Sequence, residues 1–526
     1  MNRRRFLFSA SVISLGIAVG LFSPANALAE TEAVIVIGRQ ESGAASYDPI
    51  RAVALNTAAG LIYDRLVEQA VDQSYHPHLA SSWQVSPDGM SWTFELRKDV
   101  TFTDGEPFNA QTIAWWIPKF KGTENEYMVD AIERVEVVAD HTVRFVLKRP
   151  EPNLIFNLAM TNMGVPSPKA YEAGGQDYGV TEAVGTGPYK LESFVVGQET
   201  VLVANEDYNW GSALTENKGA PYIKRLTARE IPDASTAFLE LKTGGVDMLL
   251  DMPTDFLPQL KGEADIDLRE LPGYGVTLVT INTQAAPFTD IRVRQATALA
   301  IDQASILKSV YGGVGKEAHQ FLVAALGEAH VDPALQIRHD PAKAASLLDE
   351  AGWLRDGDGD GVRAKDGKPL TVKLWTRADT EYKRTAEIIQ AQLKAVGMKA
   401  EITVFDAGTY RNQFLKPERE LVLAPYSWTN ADILDWFFSA KRLDSWNLSM
   451  WNDPKSEELR ELAMYGSKSW DERVVNFRNF HGHLLANFVG VPVHEPAQTM
   501  VFNKTRLAAP ETFRGPYSLV DIKPAD

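Results

Sequence analysis

Apolar and polar positions alternate along this chain in two periods, and the changes of period mark its elements. The stretch 31–38 (TEAVIVIG) is rich in β-branched residues and reads as a buried strand, ended by the turn Ser46-Tyr47-Asp48-Pro49. Residues 56–66 place Ala59, Ile62, Tyr63 and Leu66 on one helical face. Residues 82–102 alternate as two strands about the turn Ser86-Pro87-Asp88-Gly89, and 135–147 repeat the pattern about Asp140-His141. The aromatics Trp83, Trp92, Phe94 and Phe102 are expected to pack in the core of these strands. An amphipathic helix over 234–243 leads into a strand that starts at Gly245-Val246-Asp247-Met248. The run 274–282 (YGVTLVTIN) is almost continuously apolar, as a buried strand requires.

Farther along, 291–310 predicts one long helix, and Asp340-Pro341-Ala342-Lys343-Ala344 opens another that ends at Ala351-Gly352-Trp353. A strand over 370–376, a helix over 382–396 closed by Gly397 and a strand over 399–405 have the spacing of a parallel α/β unit. Residues 491–502 read as a further apolar stretch. No internal repeat or low-complexity linker interrupts the pattern, so strands, not a loose tether, join the parts of the chain.

Composition narrows the function classes. A chain of 526 residues with 45% apolar and 23% charged residues is ordinary for a globular protein. It can build two or more cores, since single cores stop growing near ~250–300 residues. Cysteine is absent, which excludes disulfides, zinc–cysteine sites, iron–sulfur clusters, cysteine nucleophiles and a lipid anchor on cysteine. Residues 1–29 read as a targeting segment outside the fold. Arg3-Arg4 stands two residues before Phe6-Leu7, as in twin-arginine export signals, and Ala25-Asn26-Ala27 and Ala27-Leu28-Ala29 both fit a small-residue cleavage site. The apolar stretch 8–22 between them is shorter than the ~20 residues a spanning helix needs. Cleavage after Ala29 removes three arginines and takes the formal charge from −16 to −19, which disfavours nucleic acid as a partner. The mature protein is expected to be soluble and free in a periplasm, without a lipid anchor.

Three sequence blocks carry the functional signal. The first begins Tyr63-Asp64-Arg65-Leu66-Val67-Glu68 and continues through Pro77-x-Leu79-Ala80-x-Ser82-Trp83. It ends with Asp88-Gly89-x-x-Trp92-Thr93-Phe94-x-Leu96-Arg97-x-Asp99-Val100-x-Phe102-x-Asp104-Gly105-x-Pro107-Phe108-x-Ala110. The second is Gly185-Thr186-Gly187-Pro188-Tyr189, followed by 205–211 (NEDYNWG). The third is Leu241-x-x-Gly244-x-Val246-Asp247. In order and spacing these blocks closely resemble the extracytoplasmic solute-binding proteins of family 5, the peptide/nickel/opine class that feeds ABC importers. The resemblance implies an α/β fold of the large, type II, two-lobe periplasmic-binding-protein kind, with a small additional subdomain and a strand hinge at 274–282. The implied organisation is lobe I from 30–60, 186–275 and 490–526, the subdomain from 61–185, and lobe II from 276–489. A monomer that closes over one ligand is expected, with permease subunits of the inner membrane as partners, no cofactor and no bond broken.

The resemblance also points to ligand contacts. The segment 426–438 matches the cleft-lining loop of lobe II, where peptide-binding members hold the ligand's α-ammonium on an aspartate; Asp432 is the matching position and Trp428 the aromatic wall. Tyr426, Asn430, Trp446, Asn447, Tyr47 and Asn162 complete the candidate set. The competing reading makes Asn430 or Asp432 the cap of a helix through Phe438. Nickel-binding relatives carry a histidine after this loop, but 441–451 has none, nor does 159–164 supply their arginine. A short peptide or peptide-like solute is therefore the expected ligand, with a sugar, an opine or a metal chelate as alternatives. An exported peptide hydrolase is a distant alternative. No His-Glu-x-x-His or Gly-x-Ser-x-Gly occurs, and Lys316 is followed by Glu317, not the Ser or Thr of a phosphate loop. Asp356-Gly357-Asp358-Gly359-Asp360-Gly361 starts like a calcium loop, but Gly367 stands where the bidentate glutamate belongs, so a turn is favoured. His481 and His483, two apart on a helix, do not face one another, and His76 and His78 flank Pro77, so neither pair is expected to share a metal.

Overall fold

The computed structural model describes residues 32–36, 44–260, 262–355, 361–413, 416–513 and 518–525. The proposed targeting segment and 356–360 of the glycine–aspartate run lie outside them.

Two sheets form the two lobes. The lobe I sheet has seven strands in the order Ile266–Pro272, Ala497–Asn503, Met248–Leu250, Glu32–Val36, Arg225–Arg229, Glu199–Ala204, Tyr189–Val195. Its middle strand, Glu32–Val36, runs parallel to both neighbours, as its apolar sequence requires for burial on two faces. The lobe II sheet has six strands in the order Lys316–Glu317, Gly490–Glu495, Thr277–Ile281, Leu421–Pro425, Thr371–Arg377, Lys399–Phe405. Thr371–Arg377, the helix Thr380–Ala395 and the parallel strand Lys399–Phe405 make the expected α/β unit. The subdomain is a four-stranded antiparallel sheet, Ala80–Val85, Ser91–Leu96, Thr142–Leu147, Ile132–Ala139. Trp92, Phe94 and Phe102 are buried in its core and Trp83 packs on the core's edge, as their alternation predicts.

Three elements differ from the pattern-based expectation. Within 56–66 only Ala59–Ile62 is helical. The chain then extends, because Ile62 O accepts from Gly187 N, Asp64 O from Val165 N and Leu66 O from His78 N; pairing with distant backbone outweighs the helical periodicity. The stretch 291–310 is two helices, Ile291–Ala300 and Gln303–Val310, since Ile301 is extended and Asp302 caps the second through Ser305 N at 3.1 Å. The return to lobe I falls at Pro496, not at 490. Gly490–Glu495 pairs with Thr277–Ile281 and so belongs to lobe II, which moves that part of the expected lobe I boundary.

The hinge is a pair of antiparallel crossings. One runs from Ile266–Pro272 through 273–276 into Thr277–Ile281; the other runs from Gly490–Glu495 through Pro496 into Ala497–Asn503. Pro272 faces Ala497 on the lobe I side and Thr277 faces His494 on the lobe II side. Glycine is required where these crossings touch. A Cβ on Gly273 would lie 1.7 Å from Pro496 O, and one on Gly275 1.7 Å from Tyr426 O. Among the described residues no helix is long and apolar enough to cross a membrane.

Candidate functional site

Between the lobes lies a cavity of about 820 Å³. Each part of the fold gives it a wall. Lobe I supplies 53–57, Leu250, Asp251 and 498–500; the subdomain supplies Arg65, Gln69, Phe156 and 159–162; the hinge supplies Leu271 and Tyr274; lobe II supplies 427–429. The volume is in the range of small-molecule sites, ~300–1,000 Å³.

Trp428 is the aromatic wall on the lobe II side. Its ring meets Phe156 of the subdomain edge to face, with centroids 5.5 Å apart and planes at 67°, so the aromatic pair spans the cleft. Asn162 is also in the wall, and its Nδ2 donates to Ala52 O at 2.7 Å. Of the eight expected contacts, these two line the cavity.

The other six stand behind the wall or away from it. Asp432 is half-buried and accepts from Trp428 Nε1 at 2.6 Å. Burial pushes its carboxyl up to about 6, against the pull of Arg473 and the Trp428 hydrogen bond. It starts the helix Ile433–Phe438 but makes no side-chain capping bond, so the cap of the sequence reading is not the bond it makes here. Asn430 is buried: its Nδ2 donates to Asn153 Oδ1 at 2.6 Å and its Oδ1 accepts from Arg473 Nη2 at 2.6 Å. Tyr426 is buried against Phe437 and donates its hydroxyl to Phe321 O. Trp446 packs its edge on Trp436 at 6.2 Å. Asn447 braces its own loop, donating to Ser439 O and Trp451 O and accepting from Trp451 N. Tyr47 lies behind wall residue Asn56, bonded to Asn56 Oδ1 at 3.2 Å and to Thr200 Oγ1 at 2.6 Å.

Sequence reasoning missed the two charged side chains of the described wall, Arg65 and Asp251. Arg65 sits inside the first sequence block, where its neighbours drew attention to the motif as a whole. It is buried, with Nη1 on Ala159 O at 3.1 Å and Nη2 on Glu68 Oε1 at 2.9 Å. Behind it, His78 lies between Glu68 at 3.3 Å and Asp64 at 3.4 Å. Burial opposes the imidazolium, but the two carboxylates outweigh it and hold His78 above its ordinary value. Burial also raises both acids. Glu68 nevertheless ends below the usual carboxylate range, because His78 and Arg65 both face it, whereas Asp64, facing His78 without an arginine contact, stays raised. Asp251 adopts φ +56°, an uncommon conformation for a residue with a side chain, and its N–H is fixed on Thr499 O at 2.7 Å.

Among the described residues no group of three histidines or carboxylates is arranged to hold a metal ion. His481 accepts from Phe321 N and His483 pairs with Asp453 at 2.8 Å, on separate partners.

Comparison with known proteins agrees with this architecture. The heme-binding protein A of Haemophilus influenzae is 27% identical over 463 residues, covering 81% of this chain and 80% of the relative. The dipeptide-binding protein of Escherichia coli is 29% identical over 439 residues, covering 76% of this chain and 78% of the relative. Among solved structures, NikA from Brucella suis in complex with Fe(III)-EDTA superposes with a TM-score of 0.81 at 23% identity, covering 94% of this chain and 99% of that one. That likeness carries the two-lobe fold. The family described as "Bacterial extracellular solute-binding proteins, family 5 Middle" matches residues 74–449. This chain belongs to the family 5 bacterial extracellular solute-binding proteins.

Proposed function

We propose that the protein is the exported receptor of an ABC importer, which captures one short peptide or peptide-like solute between its lobes and delivers it to the permease. The observation that carries this reading is the interlobe cavity of about 820 Å³, walled by both lobes, the subdomain and the hinge. A site shared by bodies connected through a hinge binds its ligand best when they close, which is the motion a transport receptor signals with. The wall suits a peptide-like zwitterion. It combines one arginine, one aspartate, the aromatic pair Trp428–Phe156, and amides at Asn56, Gln69, Asn162 and Gln498. Opposite charges and amide partners fit the termini and backbone of a short peptide, and the rings fit an apolar side chain. The Escherichia coli relative's name assigns it dipeptides, which supports the same class. Residues 1–29 are proposed to direct export and to be removed from the mature chain.

Native mass spectrometry after incubation with a peptone digest tests the ligand class. The expected spectrum shows one peptide-sized adduct per chain, weakened when Trp428→Ala opens the aromatic wall. A protein that stays bare in peptone, yet takes up a non-peptide solute from a cell extract, overturns the peptide reading.

A further inference from the structure

Two side chains at helix starts decline the role their position offers. Asn153 begins the subdomain helix Leu154–Ala159 and Asp432 begins the lobe II helix Ile433–Phe438, yet neither caps its helix through its side chain. An Asn or Asp at that position ordinarily stabilises its helix by accepting from the free N–H groups of the first turn. Here Asn153 Oδ1 accepts from Asn430 across the lobe boundary at 2.6 Å, and Asp432 accepts from Trp428 at 2.6 Å. Asn430 in turn is locked by Arg473 Nη2 on its Oδ1 at 2.6 Å and by Asp432 N on the same oxygen at 3.0 Å. Arg473 itself is buried, paired with Glu328 and lying over the rings of Trp470 and Phe477. Three more contacts join the same faces: Trp428 on Phe156, Thr429 Oγ1 on Gln69 Oε1 at 3.2 Å, and Trp470 on Tyr75 at 5.6 Å.

We propose that Arg473 and the 428–432 loop form a clasp that latches lobe II onto the start of the subdomain helix, with Asn430–Asn153 as the interlobe bond and Asp432 as a positioning residue that aims Trp428 into the cleft. Asp432 then acts on the ligand through Trp428, without touching it. The inference deepens the receptor reading and rests on it only for its consequence, retention of solute.

The clasp is sensitive to protons. Burial raises Asp432 to about 6 and also raises Glu151, which faces Arg473 from the subdomain. The groups around Asp432 are Arg473 on its long helix, Glu328 beside it, and Asp435 on the next turn, itself paired with Arg460 and Arg442. Tyr75 and Tyr127 face it from the subdomain. Around Glu151 are Arg149, Arg473 and Asp130. Opening returns both carboxyls toward water and toward their ordinary values. The closed form therefore holds protons more tightly, and acidification below about 6 favours closure.

The absence of cysteine makes the test clean. Spin labels on Glu133→Cys and Glu458→Cys, both exposed, one on the subdomain and one on lobe II, report closure by dipolar spectroscopy on ligand-free protein. The expected result is a short-distance population that grows from pH 7.5 to pH 5. Asn153→Ala should lose most of that population at both pH values. Asp432→Asn, which still accepts from Trp428 but carries no charge, should keep it with a smaller pH response, and Asp432→Asn combined with Glu151→Gln should keep it and lose the response. His78 lies within lobe I and its subdomain, so a response carried by it would survive in the variant lacking both carboxyls. An unchanged distribution in Asn153→Ala, or a pH response that persists in full in the variant lacking both carboxyls, overturns the clasp. Because no solute is present, this failure is read separately from a failure of the receptor reading.

Discussion

At the scale of single residues, the buried chain Asp64–His78–Glu68–Arg65 ties the cavity wall to the interior. His78 is raised in the folded state above its unfolded value near ~6.5. Its stabilisation is therefore fully present below ~6.5 and is lost as pH rises through the folded value. The melting temperature of the wild type should accordingly fall between pH 6 and pH 8.5, and His78→Gln should flatten that slope. The same variant should cost about 3–5 kcal/mol at pH 6, because Asp64 and Glu68 lose the imidazolium buried between them. A thermal melt series of both proteins checks slope and offset together. Trp428 sets a second expectation. Removing its ring in Trp428→Ala should weaken solute binding by about 2–3 kcal/mol, the worth of a large aromatic surface buried against a ligand. Calorimetry with the adduct found in peptone measures it. Of the candidate contacts, Trp428 and Asn162 were legible because one loop motif and one short segment placed them near the cleft. Asp251 was not, since a wall built from segments hundreds of residues apart leaves no local pattern. The same motif placed Asp432 beside Trp428 along the chain, but not the bond between them, which depends on how that loop folds.

At the scale of elements, the hinge is the most constrained part of the fold. The alternation and apolar runs located its strands, but not the crossing at Pro496, since 490–503 is apolar on both sides of it. Only sheet pairing distinguishes Gly490–Glu495 from Ala497–Asn503. Likewise 291–310 carries one helical period, and the break at Ile301 comes from a capping bond that periodicity cannot report. The glycines at the crossing lead to a direct expectation. Gly275→Ala would press a methyl group against Tyr426 O, so the strands must shift. Overpacking of this kind costs about 1–3 kcal/mol. Thermal denaturation should show that loss, while Gly105→Ala, at a turn with open space around it, should lose only the backbone cost of its positive φ.

At the scale of the whole molecule, the two-lobe α/β fold was readable from sequence blocks that recur in a family, together with period changes that any α/β chain shows. The leading residues make their own prediction. Replacing Arg3 and Arg4 by Lys should abolish accumulation outside the inner membrane while general secretion stays intact, as cell fractionation would reveal; normal accumulation would assign export to the ordinary pathway. The central claim is that a solute is taken into the interlobe cavity and that the lobes close on it. Small-angle scattering at pH 7.5, where an ionised Asp432 favours the open form, tests this most directly. Titration with the bound solute should reduce the radius of gyration and saturate at one equivalent per chain. A radius that stays constant at saturating solute would contradict the account.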